Sequence, residues 1–242
     1  MKRVYADLHL RPPSGRIEDI KFLIERASSL GYSIVGLTSP PDIDRETIKA
    51  LQREFSNIDL VTRIDLSPKN AGELLKLLSK VRWKFEIVAV ECATREVALQ
   101  AAKDRRVDLI FFALEDPKKH FFGISEAKLA SEKNAALEIN MSPILYLTSP
   151  FRINLLRVLR REALIAKKYN VPIVISSGAS NPYMLRRPED YAFLAFLIDL
   201  DFHSARQALS ENPRTIVERN RRKLSENYVC PGVYIVRRGK DC

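Results

Sequence analysis

Two adjacent arginines, Arg186 and Arg187, stand just before Pro188-Glu189-Asp190 and just after a string of small residues, Ser176 to Ser180. An arginine side chain offers a planar fork of donors that fits phosphate, so the pair points to recognition of a phosphate-bearing partner. Upstream, Val171, Ile173, Val174 and Ile175 are apolar on consecutive positions, the pattern of a parallel strand covered on both faces. The carboxyl ends of such strands carry the chemistry of α/β barrels. Here that rim holds Ser176, Ser177, Gly178, Ala179 and Ser180, with no residue suited to catalysis or to binding a metal. Arg11 is similarly placed after the first strand, and Arg95 and Arg206 are further candidates for phosphate contact. In the helix read from Pro213, with Asn212 as its N-cap, Arg214, Arg219, Arg221, Arg222 and Lys223 surround an apolar face of Ile216, Val217 and Leu224. Arg157, Arg161 and Lys168 likewise share one side of an earlier helix. Either set reads equally well as a solvated helix face. Tyr183 could stack on a base, although packing beneath its loop is the expectation.

The elements that must position these residues alternate regularly. Strands are expected at Val4 to Leu10, Ile34 to Leu37, Leu60 to Leu66, Phe85 to Val90, Val107 to Leu114, Ala136 to Asn140 and Val171 to Ser176. Helical spacing fills the intervals: Ile17 to Gly31, Asp44 (as cap) to Phe55, Leu74 to Val81, Thr94 to Ala101, a weak helix from Ser125 to Lys133, and the longest from Pro150 to Tyr169. Glu189 to Leu200, Ser204 to Leu209 and Pro213 to Ser225 follow as helices, with no convincing eighth strand. Seven strand–helix alternations predict a parallel sheet with right-handed crossovers, closed as an irregular seven-stranded TIM-like barrel. Residues 1–225 form one domain in this reading, and 226–242 a C-terminal tail with one apolar run, Val233 to Val236.

Net charge narrows the function. The chain of 242 residues carries a formal +10, and a small-molecule enzyme has no need of that balance, whereas a polyanion partner does. The excess is uneven: residues 1–149 hold 23 Lys and Arg against 21 Asp and Glu, and residues 150–242 hold 17 against 9. A dense surface of ion pairs, as in proteins from hot environments, would account for the charged content but not for the one-sided surplus. Cys92, Cys230 and Cys242 are far apart, without CxxC spacing, and read as reduced bystanders. No apolar run suits a membrane span and the N-terminus does not read as a signal peptide, so the expected location is cytoplasmic.

YADLHLRP at the first strand, LEIN at Leu137 to Asn140, ISSGAS at Ile175 to Ser180, the RRPED start at Arg186 and ALSENPRTIVERN from Ala208 to Asn220 together resemble the protein subunits of archaeal and eukaryotic ribonuclease P built on a barrel of the polymerase-and-histidinol-phosphatase (PHP) type. The resemblance covers residues 3 to about 225. PHP metalloenzymes open with D-L-H-x-H and carry S-D-A-H after strand seven. Here Arg11 replaces the second histidine, and Gly178 and Ser180 stand where the later Asp and His would be. A remnant set of Asp7, His9, Glu91 and Glu138 is left that could hold one ion. The favoured alternative makes His9 a hydrogen-bonded histidine at the core rim and Glu138 a structural carboxylate.

What the resemblance implies is a subunit without a catalytic residue or bound metal of its own, supporting RNA-catalysed removal of the 5′ leader of precursor tRNA. Its implied partners are the ribonuclease P RNA, a Pop5-like protein, the other ribonuclease P proteins and, through the holoenzyme, precursor tRNA. Mg²⁺ is expected to serve the RNA. No GxxG clamp or aromatic sheet motif announces RNA binding. Two other readings compete: a metal-dependent PHP-type phosphoesterase, which needs ligands this sequence lacks, and a small-molecule barrel enzyme with a phosphate site in its last loops.

Overall fold

The computed structural model describes residues 3–13, 15–38, 45–113, 116–230 and 233–236. Seven strands, β1 (Ala6–Leu10), β2 (Ile34–Thr38), β3 (Asp59–Leu66), β4 (Ile87–Glu91), β5 (Leu109–Phe111), β6 (Ala136–Asn140) and β7 (Ile173–Ser176), pair in chain order, every neighbouring pair parallel. Both faces are covered, which is why the strands read as unbroken apolar runs. The outer faces pack against helices α1 (Ile17–Ser29), α2 (Arg45–Glu54), α3 (Ala71–Val81), α4 (Arg95–Lys103), α5 (Ile124–Lys133) and α7 (Phe151–Lys168). Asn70 and Thr94 cap α3 and α4 by accepting from the N–H groups of Glu73 and Val97. The expected cap Asp44, the last residue of the fifth predicted strand, Leu114, and Cys242 lie outside the described residues.

The barrel is nearly closed. At the carboxyl end of the strands, β1 and β7 meet through one bridge, Leu10 with Ala179, and Arg11 N–H donates to Ala179 O at 2.9 Å. At the opposite end the gap is filled by the junction between α9 (Phe202–Ala208) and α10 (Glu211–Leu224). There Ala6 N–H donates to Leu209 O at 2.9 Å, and the Asn212 side-chain amide donates to Ile173 O at 2.8 Å. Four residues thus do the hydrogen bonding an eighth strand would do at that end. The same bond corrects the expected helix start. Asn212 is not an N-cap, because its side chain is spent on the β7 edge, and α10 begins at Glu211 with Ser210 before it.

Three further differences have local causes. The helix expected over Glu189 to Leu200 is α8 (Pro188–Leu194) followed by a 3₁₀ turn, Ala195–Ile198, that ends on Asp199 at φ 59° and turns Leu200 into the core. A short helix, α6 (Ser142–Tyr146), occupies what read as loop after β6. The tail contains an antiparallel hairpin, β8 (Tyr228–Cys230) with β9 (Val233–Tyr234), and β8 packs on α10. Among the described residues no helix is long and apolar enough to cross a membrane.

Candidate functional site

The lumen is apolar at the amino ends of the strands and polar toward the carboxyl ends. Ala6, Leu8, Ile34, Val61, Ile87, Leu109, Ala136 and Val174 form the apolar floor, closed from below by Ile216 and Val217 of α10. Above it, β1 is irregular: Asp7 pairs with Val35 but Leu10 with Leu37, so three steps on β1 oppose two on β2. This bulge lets Leu8 and His9 both face inward. Gly36 makes it possible, since a Cβ there would lie 2.3 Å from Leu8 O.

The space so opened is occupied by Arg63 of β3, which is fully buried. Its Nη1 donates to Glu138 Oε1 at 2.6 Å and to Leu8 O at 2.9 Å, its Nη2 to Glu138 Oε2 at 2.6 Å, and its Nε to Asp65 Oδ1 at 2.7 Å. The outer oxygen of Asp65 meets His9 Nε2 at 2.8 Å. His9 Nδ1 lies 2.8 Å from Asn140 Oδ1 and 3.5 Å from Glu138 Oε2, and Ser176 Oγ donates to Glu138 Oε1 at 2.7 Å. Phe111 packs against both cations, its ring 5.6 Å from the guanidinium carbon and 5.4 Å from the His9 ring. Burial alone would push the Asp65 and Glu138 carboxyls up; Arg63 and His9 overcome that and hold both below the usual carboxylate range. Burial likewise opposes the charge on Arg63, and the two carboxylates more than restore it.

The fold would suggest a metal here, and the residues do not fit one. Every oxygen that Asp65 and Glu138 turn inward is already engaged by the guanidinium, and an arginine repels a cation as strongly as it attracts carboxylates. The remnant set anticipated from the sequence is dispersed. His9 and Glu138 share the lumen, but Asp7 is buried elsewhere, its Oδ1 accepting from the N–H groups of His9 and Ser177, and Glu91 sits at the rim accepting from Ser67 Oγ. Among the described residues no cluster of three His, Cys, Asp or Glu is arranged for an ion. The reading of His9 as a hydrogen-bonded rim histidine and Glu138 as structural holds.

Above this layer the mouth opens into a cavity of about 710 Å³ lined by Arg11, Glu91, Asn140, Tyr146, Ser180 and Asn181, among others. The anticipated basic residues divide by position. Arg11, Arg95, Arg186 and Arg187 all follow strand carboxyl ends and so share the mouth side. Arg11 and Arg187 are exposed and, among the described residues, have no side-chain partner, while Arg95 approaches Glu126 only at 3.9 Å. Arg186 is half-buried and its Nη1 pins the loop, donating to Tyr183 O and Leu185 O. Arg206 lies on the flank in a groove with Arg3, its Nε buried without a hydrogen-bond partner and its guanidinium over the Phe202 ring. Arg214, Arg221 and Arg222 belong to α10 at the far end. Of these, Arg221 grips Asp59 with two bonds of 2.7 Å and Glu86 with one of 2.6 Å, whereas Arg214 and Arg222 face solvent. Arg219 is similarly committed to Asp108 and Asn134 O.

Tyr183 departs from expectation: it is 75% exposed, because Tyr191 takes the space beneath the loop and donates its hydroxyl proton to Met184 O. Sequence reasoning also passed over Arg63 and Asp65. Their signal was present, since Val61, Arg63 and Asp65 alternate along one face of an otherwise apolar strand. A second omission is the trio Phe193, Phe196 and Phe202, 62%, 48% and 38% exposed, whose rings stand 5.7–6.5 Å apart on the outer surface.

A PHP-type α/β barrel with its lumen closed by an internal guanidinium is thus the class that fold and site define. Histidinol phosphate phosphatase from Lactococcus lactis, solved with zinc, L-histidinol and phosphate, shares the fold at TM-score 0.51 and 12% identity, over 89% of this chain and 93% of that one. A chain in the cryo-EM structure of archaeal ribonuclease P with mature tRNA matches far better, at TM-score 0.81 and 20% identity, over 96% and 99%. The family RNase P subunit p30 matches residues 4–225. Ribonuclease P protein component 3 of Methanococcoides burtonii is 28% identical over 235 residues, covering 97% of this chain and 95% of its own. The chain belongs to the RNase P subunit p30 family and is a protein component of the tRNA-processing ribonuclease P holoenzyme.

Proposed function

We propose that this chain contributes binding surface and rigidity to ribonuclease P, and no chemistry of its own. The observation that carries this reading is the Arg63 guanidinium seated between Asp65 and Glu138, where a hydrolytic barrel would need a metal and a water. The same observation disfavours a phosphoesterase. In this reading Mg²⁺ is bound by the RNA subunit, and precursor tRNA is met through the assembled complex in the cytoplasm.

The mouth side, with Arg11, Arg95, Arg186 and Arg187, is the proposed RNA face, joined by Arg206 on the flank and by Arg214 and Arg222 of α10. Arg221 is the weakest member of the set, because its donors are already spent on Asp59 and Glu86. Tyr183, exposed beside Arg186, adds a flat ring suited to stacking on an unpaired base. The phenylalanine trio is the proposed seat of a Pop5-like protein, since exposed clustered aromatics are typical of the buried centre of an interface. Hydroxyl-radical footprinting of the assembled complex tests this division. Protection of the mouth arginines by RNA and of Phe193 and Phe196 by protein alone supports it; RNA protection centred on α10 with an open mouth refutes it.

A further inference from the structure

We infer that the Arg63 guanidinium is a built-in cation standing on a latent divalent-metal site, and that removing this one side chain opens the site to a small ion such as Mn²⁺ or Zn²⁺. The site lies wholly within the lumen and is independent of the role proposed in ribonuclease P. Two carboxylates and an imidazole converge on one point: Asp65 Oδ1 lies 2.7 Å from Nε, both Glu138 oxygens lie 2.6 Å from the Nη atoms, and His9 touches Asp65 at 2.8 Å and Glu138 at 3.5 Å. Mixed imidazole and carboxylate ligands suit these first-row ions.

The surroundings already resemble those of a metal site with its ion exchanged for an arginine. Ser176 Oγ holds Glu138 Oε1, and Asn140 Oδ1 holds His9 Nδ1, contacts of the kind that orient ligands from outside. The mouth cavity supplies a route inward, because Asn140 belongs both to its lining and to the His9 contact. Without the guanidinium, the lumen holds two buried carboxylates and no arginine, and only a proton or another cation can neutralise them. In the native chain the position is satisfied by the side chain, so no exchangeable ion is needed.

The test uses full-length wild type, Arg63→Ala and Arg63→Lys, each dialysed against Mn²⁺ or Zn²⁺ and analysed for bound metal, with thermal melts in parallel. Arg63→Ala should bind close to one ion per chain and melt higher as Mn²⁺ is added; wild type and Arg63→Lys should do neither. Adding Ser176→Ala to Arg63→Ala should weaken the ion about tenfold or more, as loss of an outer hydrogen bond does elsewhere. Adding Glu138→Gln should abolish binding. Millimolar guanidinium should compete with the ion and raise the melting temperature by itself. If Arg63→Ala is insoluble, refolding in Mn²⁺ or guanidinium should recover a cooperatively melting protein. The inference is overturned if folded Arg63→Ala takes up no more metal than wild type, if its metal survives Glu138→Gln, or if neither ion restores folding.

Discussion

Arg63 and Glu138 form a two-pronged ion pair in the barrel lumen, both guanidinium Nη atoms meeting the two carboxylate oxygens at 2.6 Å with neither side chain exposed. A buried pair of this kind offsets its own desolvation only while both members are present. Arg63→Met should therefore cost about 3–5 kcal/mol, because it strands Asp65 and Glu138 without a counter-charge. Adding Asp65→Asn and Glu138→Leu should return part of that loss, giving non-additivity of about 0.5–3 kcal/mol in urea denaturation. Strict additivity would mean that the three side chains do not act as one unit.

Gly36 is required by the β1 bulge and not by its own backbone conformation. Gly36→Ala would drive a methyl group into Leu8 O, a backbone atom that cannot swing aside, so a loss of about 1–3 kcal/mol or more is expected. A melt indistinguishable from wild type would show that β1 reaches the lumen by a different path.

Acid should weaken the lumen through Asp65 and Glu138. Both carboxyls are held below their usual range when folded, so the stability they contribute is present above about pH 4, their unfolded value, and is lost as pH falls through the depressed folded values. Asp7 works with the opposite sign. Burial raises it, so its contribution is present below about pH 4 and is lost as pH rises through the elevated value; Asp7→Asn should gain on wild type toward neutral pH. Denaturation free energies measured across pH for wild type, Glu138→Gln and Asp7→Asn check both signs, and parallel curves would refute them.

At the surface, Arg186→Ala with Arg187→Ala should weaken binding of the assembled protein set to ribonuclease P RNA and flatten its dependence on salt. Removing a single arginine–phosphate interaction lowers the slope by about one. Arg221→Ala should instead lower the melting temperature and leave the slope nearly unchanged, because its donors serve Asp59 and Glu86. An equal slope change in both variants would move the RNA face to α10.

Strand order, the missing eighth strand and the emptied rim were legible in the sequence, because two-sided burial writes consecutive apolar residues and Gly178 and Ser180 are visible as substitutions. What closes the barrel was not. Asn212 looks like a helix cap until the unpaired carbonyl of Ile173 is seen beside it. Arg63 looks like an ordinary surface charge until strand parity places it inward, and the parity of His9 depends on a bulge that no local residue type announces. The basic helix was legible as basic, but only tertiary structure separates Arg221, held by two carboxylates, from Arg222 beside it in solvent.

The central claim is that this barrel serves ribonuclease P without being its catalyst. The most direct measurement is cleavage of precursor tRNA by the purified chain, with and without the RNA subunit and the remaining proteins, in Mg²⁺ and in Mn²⁺. The expected result is 5′-leader removal only when the RNA is present, in either metal. Cleavage by the chain alone, dependent on added metal and abolished by Glu138→Gln, would contradict it.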